Sequence, residues 1–157
     1  MLIDSHCHLD FPDFADQLDA VVARARAAGI ERMITISTRI RRQREVLAIA
    51  DRFADVYTSL GTHPHYAHEE LDVTPAELVR RSRTAKVVAI GEAGLDYHYD
   101  NPPREAQERG FRTHIVAARE SALPLVIHSR EADDDTARIL EEEMGQGAFA
   151  ANPKCSR

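Results

Sequence analysis

Short apolar runs alternate with longer stretches of helical periodicity along most of the chain. The apolar runs predict strands at residues 2–8, 32–38, 56–60, 86–90 and 125–128. The stretches between and after them predict helices at 17–28, 42–53, from Thr74 onward, at 104–121 and at 133–144. This alternation is typical of an α/β fold, in which helical crossovers connect the strands of a parallel sheet.

Two architectures share this alternation: an open, doubly wound sheet and a closed (β/α) barrel. The first strand–helix turn has no glycine-rich phosphate loop, which disfavours the dinucleotide-binding form of the open sheet. In a barrel, functional residues collect at the carboxyl ends of the strands. The candidate residues of this chain occupy such positions, but the pattern alone leaves both architectures open.

Composition changes this picture in two respects. A length of 157 residues fits one hydrophobic core, and a net charge of −6 argues against a protein that coats nucleic acid with a broad basic surface. The charge does not exclude a nuclease, because bound divalent cations would supply positive charge where a phosphate must lie. No apolar run reaches the length of a membrane span, and no basic, apolar leader is present at the N-terminus. Cys7 and Cys155 form no disulfide framework, so we expect a cytoplasmic protein.

Two histidines at the end of the first predicted strand are the first candidates for metal ligands. His6 and His8 are two residues apart, so both side chains point to the same face of the strand and Cys7 points to the other. Neutral imidazole is the commonest metal-ligating side chain. The pair alone is weak, because buried histidines satisfied by hydrogen bonds would give the same pattern.

Further candidates follow other strands, which strengthens the pair. Glu92 comes after the fourth predicted strand, on what reads as a strand-end loop between Gly91 and Gly94, and His128 ends the fifth. A carboxylate has two oxygens and can bridge two metal ions, whereas one imidazole nitrogen serves one ion. The pattern therefore predicts a two-metal site of the kind that supports hydrolysis, with Glu92 as the bridge. A structural carboxylate and a solvated strand-end histidine are the alternatives.

Three more residues at this edge are candidates for substrate binding. His63 follows the third strand, and contact with a substrate phosphate fits it better than metal ligation, with stabilisation of its turn as an equal alternative. Asp96 could orient the substrate or a metal ligand. Arg130 could bind a phosphate through its planar guanidinium or form a surface ion pair with Glu131 or Asp133.

The remaining histidines receive less specific interpretations. His65 and His68 lie in a polar loop and are expected to be solvated, and His114 falls in mid-helix and is expected at the surface or in packing. His98 could line the mouth of the pocket. Cys7 is expected to be a small buried residue that faces away from the metals.

With these residues in view, the chain resembles the TatD family of metal-dependent deoxyribonucleases, within the amidohydrolase-like TIM barrels. The resemblance covers residues 1–149 and rests on four segments: Asp4–Leu9 (DSHCHL), Gly61–Pro64 (GTHP), Ile90–Tyr97 (IGEAGLDY) and Leu125–Arg130 (LVIHSR). It implies that His6 and His8 hold one divalent ion, that Glu92 bridges and that His128 helps to hold a second; Mg²⁺, Mn²⁺ and Zn²⁺ are the candidates. It also implies hydrolysis of DNA, single-stranded or at ends, by metal-activated water.

The chain departs from the family pattern after residue 149. That pattern has another histidine at the end of a sixth strand and an aspartate at the end of the eighth, whereas residues 150–157 read as a divergent tail without a strand pattern or a histidine. A full barrel needs about 250 residues, or about 31 per unit, so this length corresponds to five of eight units. We therefore expect an incomplete barrel, truncated on its C-terminal side, without the catalytic aspartate and with weak or no activity.

Two other functions compete with the nuclease. The first is a non-catalytic metal-binding remnant, in which His6, His8, Glu92 and His128 hold a single ion in a closed, zinc-like site. The second keeps the barrel but changes the bond, as in amidase, lactonase or phosphotriesterase relatives. Such barrels commonly carry a bridging lysine where this chain has Glu92, so the carboxylate favours the nuclease.

Overall fold

The strands and helices follow the predicted alternation closely. The computed structural model describes residues 1–99 and 102–155, the last four as backbone. The strands are β1 (Leu2–Cys7), β2 (Ile30–Thr35), β3 (Val56–Leu60), β4 (Val87–Asp96), β5 (Leu125–Arg130) and β6 (Ala151–Cys155). The helices are α1 (Leu18–Ala27), α2 (Gln43–Arg52), α3 (Pro75–Ser82), α4 (Arg104–Ser121) and α5 (Asp133–Met144). No helix in this part of the chain is both long and apolar enough to cross a membrane.

All strands belong to one parallel sheet, in which they lie side by side in chain order from β1 to β6. A doubly wound sheet requires a point where the strand order reverses, so the sequential order excludes that alternative. It is the order of a (β/α) barrel, and the prediction of an incomplete TIM barrel is confirmed. The carboxyl ends of the strands meet at one edge, where a barrel places its functional residues.

Two apolar clusters hold the helices against this sheet. The larger one joins α3, α4 and α5 to β3, β4 and β5 and includes Leu60, Leu78, Phe111, Ile127 and Ile139. The smaller one lies beneath α1 and α2, around Val22, Met33 and Val56. Because the larger cluster surrounds β4 and β5, these two strands provide the most firmly supported part of the edge.

The start of α3 shows how local sequence positions a helix. The Thr74 hydroxyl accepts a hydrogen bond from the backbone N–H of Glu77 at 3.2 Å, and Pro75 occupies the first helical position. Thr74 is therefore the N-cap of α3, at the point where the sequence predicts this helix to begin. The Glu77 carboxylate contacts Arg81 at 2.6 Å, which stabilises the helix one turn further on.

The prediction that residues 150–157 lack a strand was wrong for β6. The backbone of β6 pairs in parallel with β5, with Leu125 opposite Ala151 and Ser129 opposite Cys155, and the N–H of Leu125 donates to the carbonyl oxygen of Ala150 at 2.8 Å. The edge of β5 offers unpaired backbone groups that any extended segment can satisfy, and Pro153 is tolerated in an edge strand. Backbone pairing outweighs the poor side-chain pattern. Ser156 and Arg157 lie outside the described residues, and the domain boundary after residue 149 stays a prediction.

His114 is a packing residue rather than a surface one. Its Nδ1–H donates to the carbonyl oxygen of Gly110 at 2.7 Å, and its Nε2 accepts from the backbone N–H of Thr62 at 3.0 Å. Both ring nitrogens are therefore satisfied in the neutral form. Burial lowers the pKa of His114 below its ordinary value of 6.5, although hydrogen bonding to Gly110 and the charge of Glu70 oppose this.

We expect the free energy of unfolding to depend on pH through His114. As the pH falls below 6.5, the unfolded chain binds a proton that the folded chain refuses, so stability present above 6.5 is lost progressively below it. The loss is limited to about 1.4 kcal/mol per pH unit. Urea denaturation of the wild type and of His114→Gln should show a shallower pH dependence in the variant. Equal slopes in the two proteins would contradict this assignment.

Candidate metal centre

Four strands bring the predicted ligands to the carboxyl edge of the sheet. His6 lies on β1 and His8 just after it, His63 follows β3, and His128 lies on β5. Glu92 was predicted on a strand-end loop, but it lies within β4, which continues to Asp96. A change of register against β5 between Ile90 and Ala93 is what lets β4 continue through this segment.

The first ligand group consists of His6, His8 and Glu92. Nε2 of His6 lies 3.3 Å from Oε2 of Glu92, and the two histidine rings meet edge to face with centroids 5.2 Å apart. One ligand atom from each residue falls within 4.8 Å of the other two. The H-x-H pair thus approaches one oxygen of the carboxylate.

The second ligand group consists of His63, Glu92 and His128. Nδ1 of His128 lies 3.1 Å from Oε1 of Glu92 and 3.2 Å from Nε2 of His63. These three residues also offer ligand atoms within 4.8 Å of one another. Glu92 therefore belongs to both groups and turns a different oxygen to each, which is the arrangement a bridging carboxylate requires.

Glu92 is an ionised carboxylate in a buried place. Its exposed fraction is 1%, and burial alone would raise its pKa. The adjacent imidazoles of His128, His6 and His63 outweigh burial and hold the pKa of Glu92 well below 4.5. Glu92 is therefore negatively charged at neutral pH and ready to bind a cation.

Close packing of β4 against β5 brings Glu92 and His128 together. Gly94 has φ +147°, a conformation that side chains rarely adopt, and it is paired with His128. A Cβ atom there would lie deep inside van der Waals contact with the His128 carbonyl oxygen and 3.0 Å from its carbonyl carbon. The absence of a side chain at Gly94 is thus a condition for the position of His128.

Asp96 orients His128 from the side opposite Glu92. Its buried carboxylate lies 2.9 Å from Nε2 of His128 and 2.9 Å from Nε2 of His65. Burial opposes ionisation of Asp96, but hydrogen bonds from His128 and His65 lower its pKa. A carboxylate that accepts from one ring nitrogen fixes the tautomer and leaves the other nitrogen to bind a metal. The structure thus brings Asp96 next to a candidate ligand, at the wall of the cleft.

His65 is the functional residue that sequence reasoning missed. It was expected to be solvated, but it is half-buried, pairs with Asp96 and lines the same cleft. The signal was present in the repeat of histidines in His63–Pro64–His65, because a short 3-10 helix begins at Pro64 and turns both rings toward the edge of the sheet. His68, further along the helix, is exposed as predicted.

The position of the proton on His63 favours a donor role over metal ligation. Nδ1 of His63 accepts from the backbone N–H of His65 at 3.2 Å, so the proton of the neutral ring is on Nε2. Burial, followed by the neighbouring His128, lowers the pKa of His63 to about 3, and the ring is neutral at pH 7. Nε2–H is thus a hydrogen-bond donor beside the metal centre, 3.2 Å from Nδ1 of His128. The role of His63 in substrate binding stays a prediction that this geometry favours.

Arg130 lies at the rim of a cleft of about 280 Å³ that contains Glu92, Asp96 and His128. The two carboxylates predicted as alternative partners of Arg130 contact other residues. Glu131 contacts His98 at 2.7 Å, and Asp133 accepts a hydrogen bond from Ser129 at 2.7 Å. Among the described residues no carboxylate pairs with Arg130. Its guanidinium is therefore available to a phosphate.

Two other predictions concern residues beside the cleft. His98 is exposed and held by Glu131, and it is not among the residues that line the cleft. The Cys7 thiol donates to the carbonyl oxygen of Ile34 at 3.4 Å, toward β2 and away from the ligand groups, as predicted. Burial, assisted by the charges of Asp4 and Asp10, raises the pKa of Cys7 to about 12, so it offers no thiolate to a metal at neutral pH.

The donor set fits divalent cations. With the proton of His128 on Nε2, its Nδ1 and the Oε1 of Glu92 face each other as two acceptors 3.1 Å apart, an arrangement that a cation makes favourable. Imidazole nitrogens with a carboxylate suit Zn²⁺ or Mn²⁺.

An incomplete parallel barrel in which histidines from two sides approach one shared carboxylate is typical of the class of metal-dependent hydrolases. A family model described as TatD related DNase matches residues 3–152. The chain belongs to this family.

Similar proteins agree with this assignment. The chain is 36% identical over 143 residues to a metal-dependent hydrolase of Bacillus subtilis, YabD, covering 91% of this chain and 56% of that protein. It is 35% identical over 139 residues to a 3′-5′ ssDNA/RNA exonuclease, TatD, of Enterobacter lignolyticus, covering 88% and 54%. The crystal structure of YjjV, a TatD homologue of Escherichia coli, superimposes with a TM-score of 0.83 at 36% identity, covering 90% and 56%. The chain thus spans little more than half the length of these relatives.

Proposed function

We propose that this protein is a metal-dependent phosphodiesterase that acts on DNA or RNA. The observation that carries the proposal is Glu92, which turns one oxygen to His6 and the other to His128. Bound divalent ions at such a centre supply a Lewis acid and an activated water for hydrolysis. The exonuclease activity named for the Enterobacter relative supports nucleic acid as the substrate.

The residues around Glu92 have separate roles in the proposed reaction. Asp96 holds His128 in the tautomer that presents Nδ1 to the centre. His63 offers Nε2–H, and Arg130 offers a guanidinium, to the oxygens of an anionic substrate. These two donors favour a substrate with a charged phosphate over an amide or a lactone, which has no anionic oxygen in its ground state.

The non-catalytic remnant fits the geometry less well. A closed four-ligand site would need His6, His8, Glu92 and His128 around one ion. In the part of the chain that the structure describes, His6 faces one oxygen of Glu92 and His128 faces the other, and these histidines do not gather with His8 into a single group around Glu92. This division favours a two-metal centre, in which the two histidine groups serve different ions.

A cleavage assay tests the proposal. We expect metal-stripped protein to degrade an end-labelled single-stranded oligonucleotide only after addition of Mg²⁺, Mn²⁺ or Zn²⁺, at the low rate that the missing family aspartate predicts, and to lose the activity again with EDTA. His68→Ala, a variant of an exposed histidine on the same 3-10 helix as His65, should retain full activity. Binding of a single divalent ion in calorimetry, with no cleavage in any metal, would instead support the metal-binding remnant. Cleavage of a lactone or anilide but not of the oligonucleotide would instead support an amidase or lactonase.

A further inference from the structure

Two exposed aromatic rings lie at the carboxyl edge of the sheet, one beside each ligand group. Phe11 is 43% exposed and Tyr99 is 58% exposed. Exposed aromatic rings beside a basic cleft residue are the features with which proteins stack the bases of a single strand. We propose that Phe11 and Tyr99 are stacking platforms for bases of single-stranded nucleic acid and hold the strand across the centre; this inference rests on the proposed function.

Phe11 is fixed against the first ligand group. It follows β1, and its ring stacks on His8 with centroids 4.7 Å apart and an angle of 16° between the planes. Phe11 also lines the cleft that holds Glu92 and Asp96. One face of the ring is therefore anchored, and its exposed remainder offers a flat apolar surface beside the centre.

Tyr99 is fixed beside the second ligand group. Its ring meets His65 edge to face at 5.3 Å, and His65 is the partner of Asp96. The guanidinium of Arg130 lies over the ring, 5.0 Å from its centroid. A base on Tyr99 would thus place its phosphate next to an arginine that already lines the cleft.

The combination of an aromatic ring, an arginine and a group of candidate metal ligands indicates what kind of molecule binds there. Bases stack on aromatic side chains without sequence preference, because every base has a π-face, while arginine follows the phosphates. In a duplex both faces of each base are occupied by neighbouring bases, so the two platforms select a single strand. Since Phe11 contacts His8 and Tyr99 contacts His65, a strand lying on both rings passes over the shared carboxylate.

The test compares an oligonucleotide with and without bases. Fluorescence anisotropy should show that metal-stripped protein in EDTA binds a labelled dT12 at least roughly tenfold more tightly than an abasic strand of equal length. Phe11→Leu and Tyr99→Leu should each reduce this ratio by roughly tenfold, whereas Phe11→Tyr and Tyr99→Phe should preserve it. An unlabelled duplex should compete poorly, and a uridine strand should compete like dT12.

Tyr57 provides a matched control. It is an aromatic side chain next to Arg32 and Lys86, but it lies near the start of β3, at the end of the sheet opposite the ligand groups. Tyr57→Leu should leave the ratio unchanged. Equal affinity for the abasic strand, or an unchanged ratio in both leucine variants with folding verified by circular dichroism, would overturn the inference.

The outcomes separate this inference from the proposed function. Base-dependent binding without cleavage in any metal would retain the platforms and reject the phosphodiesterase. Metal-dependent cleavage by a protein that does not distinguish dT12 from the abasic strand would retain the phosphodiesterase and reject the platforms.

Discussion

Glu92→Gln is expected to abolish metal-dependent hydrolysis and to prevent divalent ions from binding at either ligand group. Glutamine keeps the shape of the side chain but replaces one oxygen by an NH₂ group, which cannot bind a cation, and removes the charge that both groups share. The loss of divalent-ion affinity should exceed the roughly 10–100-fold that removal of an outer hydrogen-bond partner costs. Isothermal titration of metal-stripped protein measures it, alongside the oligonucleotide assay.

Asp96→Asn is the matched comparison for this variant. It also removes one buried negative charge at the carboxyl end of β4, but Asp96 contacts the centre only through His128 and His65. Its metal affinity should therefore fall only within the roughly 10–100-fold range. An equal effect of the two substitutions would show that Glu92 is not a bridging ligand, and retained metal affinity in Glu92→Gln would show that neither group depends on it.

Gly94→Ala is expected to destabilise the fold strongly. The new Cβ would collide with the backbone of His128, and alanine is strained at φ +147°. Overpacking costs about 1–3 kcal/mol and backbone strain about 1–3 kcal/mol more. Their sum is a large part of the 5–15 kcal/mol that typically separates the folded from the unfolded state. Urea denaturation followed by circular dichroism measures the change.

Gly29→Ala separates the two contributions. Gly29 also has a positive φ, of +91°, but no atom lies within 4 Å of the position of its Cβ. This variant should show only the backbone strain, about 1–3 kcal/mol. If Gly94→Ala were no more destabilising than Gly29→Ala, then β4 could move away from β5, and close packing at Gly94 would not set the position of His128.

The sequence predicted the elements well because strands and helices differ in hydrophobic period. The bounds of β3, α4 and α5 agree with the predicted ones at both ends. Two strands were misjudged for one reason. Gly91, Glu92 and Gly94 read as a loop, and Pro153 reads as a strand breaker, because both segments lack β-forming side chains. Each segment becomes a strand through backbone pairing with β5, a long-range interaction that no local pattern records.

The candidate site was likewise predictable from the sequence only in part. Residues that end strands could be predicted to converge, and the structure does bring His6, His8, Glu92 and His128 together in two groups with His63. His65 could not be found by that rule, because it lies on a 3-10 helix after β3. Its contact with Asp96 depends on how that helix packs against β4, and the repeat of histidines in His63–Pro64–His65 does not by itself predict this packing.

The strand order has a consequence for how the two ligand groups respond to local unfolding. Among the described residues β1 is paired with β2 alone, whereas β5 is paired on both sides, with β4 and β6. Proteins open first where strands have the fewest partners, so β1 detaches at a lower free energy than β5. The group with His6 and His8 therefore disassembles while the group with His128 persists. A cation that binds the first group therefore stabilises a strand that has one neighbour in the described sheet.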